Sequence, residues 1–113
     1  MPVARRMRGL PAEVVTVTDD VVVTRNPDAN RWEARVDGEL AGFAAYRLRE
    51  DVIMFTHTEV DDAFEGRGVG GALARTALDE VAEEGTHAVL PLCPFIKSWI
   101  GRHPDYAHLV KGA

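Results

Sequence analysis

The sequence predicts an α+β domain in which a run of antiparallel strands is followed by one helical crossover. Three observations carry that expectation. Residues 21–60 hold several β-branched or alternating stretches separated by turn signals. Residues 68–84 switch to apolar spacing of about four. A short apolar stretch and a second helical pattern follow. The order is β-β-β-β-α-β-α, with helices packed on a mixed, mainly antiparallel sheet.

VVTVTDDVVVTRN is rich in β-branched residues and broken at Asp19-Asp20, so one strand is expected, at Val21–Arg25. Pro27 to Asn30 is a turn. In RWEARVD, Trp32, Ala34 and Val36 alternate with charged residues, which is the period of a strand with one face buried. Asp37-Gly38 then signals a type I′ hairpin.

ELAGFAAYRLR is small or apolar on both faces, with Leu40, Ala44, Tyr46 and Leu48 on one and Ala41, Phe43 and Ala45 on the other, so it reads as a central strand. In VIMFTHTEV, strict alternation puts Ile53, Phe55, His57 and Glu59 on one side. Only a bulge would change that arrangement.

From Gly68 to Glu84, Val69, Leu73, Ala77 and Val81 form a stripe widened by Ala72, Ala74, Leu78 and Ala82, and Gly85 is suited to end the helix. HAVLPLCP is a strand. FIKSWIGRH is a short helix stopped before Pro104, with Phe95, Ile96, Trp99 and Ile100 inward and Tyr106, Leu109 and Val110 docking behind it.

Composition narrows the function classes. At 113 residues, 46% hydrophobic and 27% charged, the chain is long enough for one domain without disulfides. Residues 1–13, with Arg5, Arg6 and Arg8, read as a mobile basic tail, and residues 14–113 as the single domain. Nucleic acid is not expected as a partner, because the body beyond the tail has 10 basic against 17 acidic side chains. No apolar run is long enough for a signal peptide core or a membrane span. Cys93 is the sole cysteine, consistent with a reduced, cytoplasmic setting. His57, His87, His103 and His108 lack metal-ligand spacing, so no metal is expected.

FEGRGVGGAL, residues 64–73, puts four glycines between a strand and a helix start. Such a turn exposes backbone N–H groups at the positive end of a helix dipole, which suits a phosphate. A tight turn without any ligand explains the same glycines equally well. No GK[ST] follows, and a meander precedes the loop, so neither a Walker loop nor a dinucleotide fold applies.

VDDAFEGRGVGGAL, following HTEV, resembles the central acyl-CoA motif of the GNAT N-acetyltransferase superfamily. The set DGELAGFAAYR, HTEV, GRGVGGALARTALDEV, PLCPF and HPDYAHLV is similar to a subfamily of very short GNAT-like proteins. The resemblance covers about residues 20–110. It implies a compact GNAT-like fold with strands splayed around a coenzyme A site. It also implies acetyl-CoA as cosubstrate, an amine acceptor and N-acetyltransferase activity.

The implied cofactor residues are Val60, at the end of the strand carrying the pantetheine arm, and Gly66, Arg67, Gly68, Val69, Gly70 and Gly71 around the pyrophosphate. Glu65 departs from the wider pattern, which has Arg or Gln there. The implied catalytic candidates are His57 and Glu59 as bases and Cys93 beside the acetyl end, as a lining thiol or a nucleophile. Each also has a plain reading, as a core histidine, a surface carboxylate and a small buried hydrophobe.

No helical segment separates the first two strands, so the acceptor side is expected to be open. An open side suits a protein or peptide lysine, and a homodimer is one way to supply the missing wall. The alternative function is a CoA-binding module without transfer.

Overall fold

The computed structural model describes residues 16–18 and 21–112, in which six strands form one open mixed sheet in sequence order. The expected basic tail lies outside the described residues. β1 (Thr16–Thr18), β2 (Val21–Asn26), β3 (Arg31–Val36), β4 (Glu39–Arg49) and β5 (Val52–Val60) are antiparallel neighbours, and β6 (Ala88–Pro91) joins β5 in parallel. Helix α1 (Val69–Glu84) makes the crossover, and α2 (Pro94–Arg102) follows β6. A 3-10 turn, Pro104–Leu109, ends in a single bridge that sets Val110 beside Val89.

β1 corrects the expected order. Thr16–Thr18 pairs with Val21–Val23, so both halves of the β-branched run are strands, and the acidic pair taken as a break lies between them. The Asp37-Gly38 expectation holds, since both residues have positive φ, 52° and 83°, as a type I′ turn requires. β4 is central, paired on both edges.

Two bulges reset which residues face the helices. Ala34 pairs with Gly42 and Arg35 with Leu40, so Ala41 is the extra residue of β4, and Leu40 moves to the face of Arg35. Ala45 pairs with His57 and Tyr46 with Phe55, making Thr56 the extra residue of β5.

One face of the sheet is covered by α1 and α2. Val21, Val23, Trp32, Ala34, Ala44, Tyr46, Ile53 and Phe55 are buried there against Leu73, Ala77, Leu78 and Val81 of α1. The Trp32 ring lies 4.9 Å from Tyr46 and 5.8 Å from Phe55, and its indole N–H donates to Glu80 of α1 at 3.0 Å. Arg25 stacks on both Trp32 and Tyr46 and reaches Glu84 at 2.9 Å, closing the edge of this layer. Ile96, Trp99 and Ile100 bury the inner side of α2, whereas Phe95, expected with them, keeps 36% of its surface exposed.

The opposite face carries no helix among the described residues. Its buried group is a carboxylate. Glu33 is 7% exposed and accepts hydrogen bonds from Asn26 at 3.1 Å, Arg31 at 2.9 Å and Arg35 at 3.0 Å. Burial alone would raise its pKa, but these three donors outweigh burial and hold it below the ordinary 4.5.

Candidate functional site

The site begins where β5 and β6 part. Pairing runs from Val52↔Ala88 to Phe55↔Pro91, and the Cys93 N–H then bonds the Phe55 carbonyl at 2.8 Å. Proline cannot donate to a ladder, and Pro94 starts α2, so the chain turns away after that bond. β5 runs on through Val60 with a partner on its β4 edge alone. The expected splay is thus a slot along Thr56–Val60.

Alternation in the strand determines which backbone groups line the slot. Asp61 donates its N–H to Ala41 of β4 at 2.8 Å, so the residues before and after in phase with it also face β4. The N–H and C=O groups of Thr58 and Val60 therefore point to the open edge. Cys93 closes the inner end of the slot. It is 3% exposed and donates its thiol hydrogen to Thr58 Oγ1 at 3.3 Å.

The glycine loop stands at the other end. After a 3-10 turn at Asp62–Phe64, Gly66 and Gly68 adopt φ of 80° and 79°, a region that L side chains rarely occupy. Gly68 is the N-cap of α1 without any side-chain hydrogen bond, and the first turn has no acidic residue. The leading N–H groups of that helix lack internal partners and side-chain caps, the condition in which they receive an anion. The residues present therefore fit a diphosphate.

The glycines divide in their work. A Cβ on Gly66 would meet nothing within 4 Å, whereas one on Gly70 would stand 2.8 Å from the Phe95 ring and one on Gly71 3.8 Å from Trp99. Gly66 and Gly68 shape the loop. Gly70 lets α2 approach α1.

Glu65, where the resemblance led to an Arg or Gln being expected, is exposed, with its N–H bonded to the Asp62 carbonyl. Arg67 is exposed too, and neither forms an ion pair among the described residues.

His57 and Glu59 are neighbours, as expected, with Nε2 and Oε1 3.4 Å apart and both side chains more than half exposed. Their face corrects the expectation. The bulge at Thr56 shifts the alternation by one residue, so Thr58 and Val60 continue the side of Ile53 and Phe55, and His57 and Glu59 emerge on the uncovered face. Cys93 belongs to the helix side through Thr58, so the structure joins His57 with Glu59 but does not bring Cys93 to them.

Thr58 is the site residue that sequence reading missed. Its signal was available in retrospect as a hydroxyl beside the expected pantetheine strand, but only the bulge turns it toward the thiol. Lys97, Ser98 and Arg102 project outward from α2, where Arg102 bonds Ser98 at 2.8 Å.

An open sheet with its last two strands parted beside an uncapped glycine-rich helix start defines a GNAT-like fold. The model of the GCN5-related N-acetyl-transferase family matches residues 31–109, and the chain belongs to that family. Over 53 residues it is 42% identical to Protein NATD1 of Homo sapiens, an alignment covering 47% of this chain and 46% of that protein. Protein NATD1 of Gallus gallus gives the same identity over 47% of each chain. The chain thus spans about half the length of the curated relatives it matches. A solved ribosomal-protein-alanine N-acetyltransferase from Brucella melitensis biovar Abortus 2308 is similar in fold, with a TM-score of 0.51 at 21% identity. That likeness covers 74% of this chain and 61% of the other.

Proposed function

We propose that the protein is an acetyl-CoA-dependent N-acetyltransferase whose acceptor is an amine, with a protein or peptide lysine as the acceptor class. The observation that carries this reading is the slot along Thr56–Val60, which has the uncapped start of α1 at one end and Cys93 with Thr58 at the other. In this proposal the protein works in a reducing, cytoplasmic setting, and a monomer provides every group the transfer needs.

Amides from Gly66 to Gly71, with Arg67 beside them, would hold the diphosphate, and Val60 would start the path of the pantetheine arm. Acetyl-CoA would supply a thioester as the electrophile. The Thr58 N–H, aimed into the slot, can donate to a carbonyl oxygen as negative charge develops there. His57, backed by Glu59, can remove the proton of an ammonium that arrives from the uncovered face. The Cys93 thiol, already bonded to Thr58, can return a proton to a departing sulfur. The two sides of the sheet thereby receive the two substrates separately, and the His57–Glu59 distance, long for a hydrogen bond, is of the kind that tightens once a substrate is present.

Calorimetry with CoA and acetyl-CoA tests the first half of the proposal, and absence of binding at millimolar ligand would sink it. The second half is tested by release of CoA thiol with lysine peptides. Binding without release above the enzyme-free rate would leave a CoA-binding module. Intact mass after incubation with acetyl-CoA decides the route. An acetyl increment abolished by Cys93→Ala assigns a covalent step, and undiminished turnover of Cys93→Ala removes it.

A further inference from the structure

The uncovered face has two oppositely charged ends. At the loop end, a groove of about 350 Å³ is lined by Leu40, Phe43, Glu59, Asp61 and Asp62. At the hairpin end, a cleft of about 360 Å³ is lined by Asn30, Arg47, Arg49 and Met54. Register places both on one surface. Phe43 faces Glu59, Ala45 faces His57 and Arg47 faces Met54 on adjoining strands, with the Thr56 bulge accommodated between the last two pairs.

Arginine is not spread evenly in its function here. Arg31 and Arg35 spend their charge on the buried Glu33, whereas Arg47 and Arg49 form no ion pair among the described residues. They are exposed, adjacent in phase on β4, and stand beside half-buried Met54. Two unneutralised guanidinium groups at a cleft, on a protein of net charge −5, form a local field opposite to that of the whole molecule. Guanidinium groups also match carboxylates in geometry.

We infer that this face receives an extended peptide, with its acceptor lysine at the Glu59 end and an acidic residue at Arg47 and Arg49. The inference rests on the acetyltransferase reading for the lysine end alone. Arg47 and Arg49 lie two to six positions along β4 from Ala45 and Phe43, a span of roughly 7–20 Å at ~3.3 Å per residue. An extended peptide covers that range in about two to six residues, and the step from Phe43, opposite Glu59, to Arg47 in about four. Phe43, Ala45 and Met54 supply the apolar middle of the path, and the lysine side chain reaches over the β5 edge toward the slot.

The test is binding, so that it does not depend on turnover. Fluorescence anisotropy of labelled peptides with a central lysine, and Glu, Gln or Lys placed two to six residues away, is measured against the full chain at low and high salt. The Glu peptides should bind about fivefold to tenfold tighter than the Gln peptides, with an optimum near four residues, and lose that advantage at about 0.5 M salt. Arg47→Glu with Arg49→Glu should reverse the order of the Glu and Lys peptides while leaving CoA binding and the circular dichroism spectrum unchanged.

Equal binding of Glu and Gln peptides, no binding of any peptide, or indifference to the double reversal would overturn the inference. A stable dimer in sedimentation that the reversal disperses would assign the face to a second copy and overturn it as well. Failure of CoA to bind the parent chain sinks the acetyltransferase reading. Failure of peptide discrimination with CoA binding intact sinks the peptide inference alone.

Discussion

The two faces of the sheet bury carboxylates by opposite means. On the covered face, Glu80 of α1 is half-buried, and desolvation raises its pKa above the ordinary 4.5 even though Trp32 donates to it and Arg25 lies near. On the uncovered face, Glu33 is more deeply enclosed, yet its three donors lower its pKa. Burial by apolar mass penalises charge, whereas enclosure by donors retains it. The covered face therefore supplies cohesion. The uncovered face supplies fixed charge that a ligand can meet.

Phe55→Ala should sharpen that contrast most. It removes a fully buried ring that packs beside the Trp32–Tyr46 pair, at a cost of about 3–5 kcal/mol, read as a fall in the urea midpoint with little change in slope. A loss below about 1 kcal/mol would mean that the covered layer is not what holds the sheet.

Glu33→Gln comes next, at about 1–3 kcal/mol near neutral pH, because two guanidinium groups lose their acceptor charge. Its sign with pH is specific. A lowered carboxylate contributes stability above its unfolded value and loses it as pH falls through the folded value, so parent and variant should converge below about pH 4.5. Glu80 runs the other way, since a raised carboxyl favours the fold at low pH and loses that advantage as pH rises through the raised value. A gap between parent and Glu33→Gln that stays constant from pH 7 to pH 3 would break the comparison.

The smallest effect on stability should come from Thr58→Val, within about 1 kcal/mol, because Thr58 sits on the half of β5 that is paired on its β4 edge alone. Its effect should fall on thiol release with acetyl-CoA instead. Unchanged release kinetics would remove the Cys93–Thr58 pair from the proposed chemistry.

Much of this was legible in the residues. The Asp37-Gly38 turn, the stripe of α1 and its Gly85 stop, and the parting of β6 at Pro91 all follow from local stereochemistry that a sequence displays directly. The bulges were not legible. Adding Ala41 or Thr56 to a strand changes neither composition nor propensity, and the cost of the interrupted ladder is balanced by packing on distant elements. Hence His57 and Glu59 were correctly paired but assigned to the wrong side. Gly70 looked like its neighbours in the motif, and only the Phe95 ring above it separates a packing glycine from a loop glycine.

The Thr56 bulge can be regarded as a half-period phase slip in a two-beat pattern. Up to Phe55 the strand shows aromatic and aliphatic groups to the helices; one beat later the same rhythm shows a hydroxyl inward and an imidazole outward. Deleting that one residue would remove the extra position and keep every facing as it is, whereas a strand that held all nine residues without the bulge would exchange the compartments that His57, Thr58 and Glu59 address. For this protein, the place where the count breaks along VIMFTHTEV is thus a chemical specification that its nine residues alone do not carry.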